Sequence, residues 1–247
     1  MKLPIYAALL AASTIPLLGQ VHVLASNGVK AVIEELRPKC EQAVGSPVEI
    51  EYGTSTALKQ KIKAGDRFDV AILTSDVIDG LIQAGKLSAS ARVNVARAGI
   101  GVGIRKGAPK PDIRNADSLK RTLLAAKAIT YAGDGASRVH IEAMFQKMGV
   151  ADAMKKKTIL EQGSTRANER VADGSADIIL TLVSEILPAP GVELAGSLPD
   201  EFQSYVGFAA AANAKGAGTP ARAGVLKFLA GPAVGPVLRT KGMEPFK

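Results

Sequence analysis

The sequence predicts an α/β protein of two lobes, each a mixed, mostly parallel sheet flanked by helices, with two strands as the hinge between them. Three observations predict it. From residue 20 onward, short apolar runs alternate with amphipathic ones, the repeated βα pattern of an open, mostly parallel sheet. Residues 93–104 and 202–213 are longer than ordinary strands, apolar, and interrupted by small residues. A complete series of βα units lies between those two segments, so the chain leaves a first lobe and returns to it. This places residues 20–100 with 204–247 in lobe 1 and residues 101–203 in lobe 2.

Each element has a local reason. Residues 21–24 (VHVL) read as a buried strand, and Ser26-Asn27-Gly28 as the turn into an amphipathic helix over 29–43. Residues 48–52 alternate apolar and polar, as a strand does. Residues 56–64 are helical, with Leu58 and Ile62 four apart. A short apolar strand at 69–73 and a helix at 75–84 follow. After the long segment at 93–104 and the turn "GAPKPDI" come a helix from Ser118, a strand at 128–131 and the Gly-rich turn "AGDGASR". A helix through Met148, a strand at 158–160, the turn "EQGSTRAN", another helix and a strand at 177–182 complete the series. The tail, 219–242, is helical with a break at Gly231-Pro232.

Composition narrows the function. At 247 residues, with 47% hydrophobic and 22% charged residues, the chain is globular rather than disordered. The formal charge of +8 admits small anions, a membrane surface or nucleic acid. The Lys and Arg are spread along the chain, there is no Trp, and aromatics are 4%, so stacking platforms for nucleic acid are scarce. Cys40 is the single cysteine, and His22 and His140 are the only histidines, which leaves neither an internal disulfide nor a Cys/His metal site. No cofactor is expected. Residues 1–19 read as a signal peptide: Lys2, an apolar run over 5–18, and Gly19 before the first strand. The run is too short to span a bilayer. An exported, soluble, periplasmic protein is expected.

Four turns place hydroxyls or backbone N–H groups where a strand meets a helix: Ser26-Asn27-Gly28, Gly53-Thr54-Ser55-Thr56, Gly133 to Arg138, and Gly163-Ser164-Thr165-Arg166. Each alone is an ordinary helix cap. Four of them, two per lobe, describe an anion cleft, because helix N-termini carry unpaired N–H groups and a partial positive charge. The candidate ligand-binding residues are Ser26, Asn27, Thr54, Ser55, Ala136, Ser137, Arg138, Ser164, Thr165 and Arg166. The two arginines could grip a carboxylate with paired bonds. Catalysis has less support. Ser137 and His140 lack an orienting carboxylate, Asp134 and Glu142 have no evident joint role, and "GIGVG" lies inside a strand without a following GK[ST]. No catalytic residue and no turnover are expected.

Several stretches resemble periplasmic substrate-binding proteins of ABC importers, of the type II fold, and within them the molybdate-binding branch. These are "YGTSTALKQKIKAGDRFDVAILTSDVIDGLIQAGKL", "RVADGSADIILTLVSEI", "SLPDEFQSYVGFAAAAN" and "FLAGPAVGPVLRTKGMEP", and the similarity covers about residues 21–247. The resemblance implies ligand capture by closure of two lobes, delivery to a membrane permease, and a monomer. In that branch two serines, two backbone turns and a tyrosine hold the oxyanion. Ser55 falls on the second serine, Asn27 on the first with Ser26 adjacent, Ala136 on one backbone donor, and Ser164 or Thr165 near the other; Leu182 stands where the tyrosine would be. The ligand implied is an organic di- or tricarboxylate or a molybdate-like oxyanion. The alternatives are the effector lobe of a LysR-like regulator, which would need a helix-turn-helix before the first strand, and a hydrolytic enzyme.

Overall fold

The computed structural model describes residues 19–215 and 218–246, so the signal-peptide segment lies, Gly19 apart, outside the described residues. The described chain opens with β1 (Val21–Ser26), a 3-10 turn (Asn27–Val29), α1 (Lys30–Val44), β2 (Val48–Gly53), α2 (Ser55–Ala64), β3 (Val70–Thr74) and α3 (Ser75–Gln83). β4 (Val93–Arg105) leads into α4 (Ala116–Ala125), β5 (Ile129–Ala132), α5 (Arg138–Lys147), α6 (Ala151–Lys157), β6 (Thr158–Glu161), α7 (Gly163–Ala172), β7 (Ile178–Leu182), α8 (Val183–Ile186) and β8 (Val192–Ser197). β9 (Tyr205–Ala212), α9 (Pro220–Leu229), α10 (Val234–Thr240) and β10 (Met243–Glu244) close the chain.

The strands form one mixed sheet in the order β2-β1-β3-β9-β4-β7-β5-β6, with β8 and β10 also pairing with β4. β1, β2 and β3 are mutually parallel, as are β5, β6 and β7. The inner strands β3, β5 and β7 are buried at every position, as expected of strands covered on both faces. The helices present apolar residues one turn apart to the sheet: Val32, Ile33, Leu36 and Cys40 on α1, and Ile141, Met144 and Phe145 on α5. Pro38 sits inside α1 on its solvent-facing side, where a carbonyl that loses its N–H partner still meets water.

Where the strands stop follows from register on β4. β3 ends at Thr74, level through Phe208 of β9 with Ala96. β7 runs the other way and ends at Leu182, level with Ile100. The carboxyl ends of the two parallel trios therefore point at each other, four β4 residues apart, about 13 Å at ordinary strand rise. The glycines of "GIGVG" serve packing here. A Cβ on Gly103 would lie 2.6 Å from Ile179 Cγ2 and 3.1 Å from Val192 Cγ1, so neighbouring side chains fill that space. The sequence reading did not anticipate α6, α8, β8 or β10.

Gly28 fixes how closely the first turn approaches the sheet. A Cβ there would lie 2.5 Å from Cζ of the fully buried Phe208 and 3.1 Å from Leu182 Cδ1. Gly28→Ala should cost about 1–3 kcal/mol by overpacking, lowering the melting temperature by about 2–4 °C per kcal/mol. Gly235→Ala, in α10 with nothing within 4 Å, should be neutral or stabilising. Thermal melts of the two variants check the pair.

Candidate functional site

The facing strand ends bring all four turns named from the sequence to one place. Ser26 ends β1 in an extended conformation, and its hydroxyl makes no cap bond, so it is free for other partners. Thr54, not Ser55, caps α2: its Oγ1 accepts from the Ala57 N–H at 3.1 Å. Ser55 Oγ accepts from the Thr74 N–H at 3.0 Å, which leaves the Ser55 hydroxyl proton available as a donor. Across the gap, the turn after β5 bonds the Gly135 N–H to the Ala132 carbonyl and the Arg138 N–H to the Gly135 carbonyl. The Ala136 N–H between them has no acceptor among the described residues.

These groups surround an inner cavity of about 20 Å³. Ser26, Asn27, Thr54 and Ser55 line it from lobe 1; Ala136, Ser164, Leu182 and Glu185 line it from lobe 2. That volume has room for about one water-sized group. Two hydrogen bonds cross the space between these walls, from Thr54 and from Ser184. Asp134 receives the Thr54 hydroxyl on Oδ2 and the Gly163 N–H on Oδ1, both at 2.9 Å. Ser184 Oγ donates to the Gly28 carbonyl at 2.8 Å.

The inner cavity adjoins an outer groove of about 520 Å³, and Asn27, Ser164 and Glu185 belong to both. Lys30 and Glu34 on α1 form one wall of the groove, and Thr165, Asn168 and Glu169 on α7 another. Asn168 ties the two turns of lobe 2 together, donating from Nδ2 to the Ser164 carbonyl at 2.9 Å and the Glu185 carbonyl at 3.2 Å.

Glu185 is the side chain that sequence reasoning missed. Its Oε1 accepts from Ser164 Oγ at 2.8 Å and its Oε2 from Thr181 Oγ1 at 2.5 Å. The residue keeps partial access to the groove while protein surrounds its carboxyl densely. That burial pushes its pKa above the ordinary carboxylate value; the Thr181 and Ser164 hydroxyls and the Leu182 backbone oppose the shift, and the Asp134 charge adds to it. The other titratable groups lining the outer groove are Lys30, Glu34 and Glu169.

The remaining candidates stand elsewhere. Ser137 is buried under its turn and lines neither space. Arg138 is turned to its own helix, with Nε 2.8 Å from Glu142 Oε1 and Nη1 2.8 Å from the Gly133 carbonyl. Arg166 lies on the exposed side of α7 and lines neither the cavity nor the groove. The cleft therefore offers neutral hydroxyl and N–H donors, with Lys30 as the cation on its walls. Among the described residues there is no group of three or more His, Cys, Asp or Glu that could hold a metal, and no helix long and apolar enough to cross a membrane.

The shift on Glu185 has a stability consequence. A carboxyl whose pKa is raised in the folded state contributes stability at pH below its unfolded value and loses it as pH rises through the folded value. Glu185→Gln keeps the shape and removes the titration. Its melting temperature relative to wild type should climb between pH 4 and pH 8, by about 2–4 °C for each kcal/mol involved. A constant difference across that range would contradict the shift.

Comparison with known proteins agrees with this fold. A family model described as bacterial extracellular solute-binding protein matches residues 21–244. A Pseudomonas sp. protein named aconitate isomerase is 29% identical over 256 residues, covering 99% of this chain and 97% of that protein. Among solved structures, the Azotobacter vinelandii periplasmic molybdate-binding protein superposes with a TM-score of 0.78 at 15% identity, covering 92% of this chain and all of that one. The sulfate-binding protein SubI from Mycobacterium tuberculosis H37Rv gives 0.71 at 18% identity, covering 92% of this chain and 87% of its own. At these identities the structures establish the fold, and the match along nearly the whole chain establishes the family: this protein belongs to the bacterial extracellular solute-binding proteins.

Proposed function

We propose that this protein is exported, captures a small organic di- or tricarboxylate between its lobes, and delivers it to the membrane permease of an ABC transporter. The observation that supports the ligand class is that the inner cavity adjoins the outer groove, the two sharing Asn27, Ser164 and Glu185 as lining residues. A tetrahedral oxyanion would fill only the inner end. A polycarboxylate can place one carboxylate on Ser26, Ser55 and the Ala136 N–H and extend the rest along the groove. Lys30 meets the far carboxylate there, and Glu34 and Glu169 disfavour an anion that does not reach it. The relative named aconitate isomerase supports the same class, since aconitate is a tricarboxylate.

Turnover of the captured ligand is a second reading. A carboxyl lining the cleft favours it: Glu185 adds nothing to the binding of an anion when charged, and it can exchange a proton when enclosed. The name of the 29% relative points the same way.

Calorimetric titration against succinate, tricarballylate, molybdate and sulfate tests the ligand class. Tricarballylate should bind, and Ser55→Ala should weaken it about ten- to a hundredfold by removing a hydrogen bond to a charged group. Arg166→Lys should change affinity by less than about threefold, as surface substitutions do. Tight binding of molybdate or sulfate with none of either carboxylate would contradict the proposal.

A further inference from the structure

We propose that Glu185 is a catalytic residue that carries a proton between two carbons of an unsaturated polycarboxylate held in the cleft. This rests on the polycarboxylate reading and adds to it a bond change and the group that makes it. Glu185 is the one side-chain carboxyl, among the described residues, that lines both the inner cavity and the outer groove. It therefore stands beside the middle of a ligand that spans the two, where the carbons between its carboxylates would lie. It is also held in place: Ser164 and Thr181 each bond one of its oxygens, and Asn168 bonds its backbone carbonyl. A site evolved for capture alone has no need of an acceptor carboxyl where an anion must sit, since a second charge there repels the ligand. Burial resolves the conflict by favouring the uncharged form, and a carboxyl held between two hydroxyls on the wall of the cleft is placed to exchange a proton with what the cleft holds.

The step balances without a co-reactant. Glu185 as carboxylate removes a proton from a CH₂ next to the ligand carboxylate seated on Ser55 and the Ala136 N–H. The C–H electron pair becomes a new C=C bond, and the pair of the old C=C moves to the carbon beyond it. That carbon takes the proton back from the Glu185 carboxyl. One C–H bond breaks and one forms, the double bond moves by one carbon, and Glu185 returns to its starting state. Charge that develops on the seated carboxylate meets hydroxyl and N–H donors already in position. In aconitate the carbons on either side of the central one carry the same substituents, so the shift gives aconitate again, and the isomer formed is set by the conformation in which the cleft holds the former single bond.

The experiment follows trans-aconitate in D₂O by proton NMR with the full chain, beside calorimetric binding of the saturated analogue tricarballylate. Wild type should take deuterium into the ligand methylene and form the cis isomer. Glu185→Gln should slow both at least about a hundredfold, the usual contribution of a positioned acid–base group, with tricarballylate affinity within about tenfold of wild type. Glu185→Asp should keep measurable exchange, which a purely structural role for the side chain would not give. Tricarballylate binding with no exchange by wild type overturns the proton transfer and leaves the capture reading standing. No binding of either ligand overturns both. Exchange by Glu185→Gln at the wild-type rate overturns the assignment of Glu185.

Discussion

The structure depends on one long strand. β4 gives its first residues to β9 and its later residues to β7, in antiparallel pairing both times. Two parallel trios attached in this way must run toward each other, and their carboxyl ends must meet near the middle of β4. Each parallel strand here ends in a helix, so the same constraint aims several helix N-termini at one small space. The turn residues need no special geometry beyond that. Thr54 meets Asp134 across 80 positions of sequence because the register on β4 brings their strands end to end.

The hydrogen-bond donors at the inner end of the cleft carry no formal charge. The donors are hydroxyls and backbone N–H groups, which hold an anion without a fixed counter-charge and without the desolvation that a buried arginine would bring. Asp134 already occupies the Gly163 N–H and the Thr54 hydroxyl. Of these two bonds only the one from Thr54 crosses between the walls, while the one from Gly163 fixes Asp134 to a neighbouring turn on its own side. Glu185 faces the same space from the other side, held by hydroxyls and enclosed by protein. A chain with a net charge of +8 favours anions near its surface, and the cleft itself sets hydroxyl and N–H donors beside the two carboxyls of Asp134 and Glu185.

Much of the fold was legible because most of its elements are long enough to show a period. Residues 29–43 and 48–52 carry their helical and strand patterns openly, and the elements found are Lys30–Val44 and Val48–Gly53. The four residues of α8 are little more than one turn, too few to display any period, and Glu185 is hidden with them. Asp134 was visible within its turn, but its role depends on Thr54 and Gly163, which no local pattern connects to it. The two arginines drew attention as anion grips. Arg138 could have been discounted from spacing alone, since Glu142 follows it by four residues on the same helix, where an ion pair forms readily. The exposure of Arg166 depends on which face of α7 meets the sheet, and Ala167, Asn168 and Val171 set that face.

The most direct test is a crystal structure of the protein grown with equimolar tricarballylate and molybdate. The account predicts tricarballylate between the lobes, one carboxylate within hydrogen-bonding distance of Ser55 Oγ and the Ala136 N–H, and its carbon chain passing Glu185 toward Lys30. Molybdate seated on those donors, with tricarballylate absent from the cleft, would contradict it.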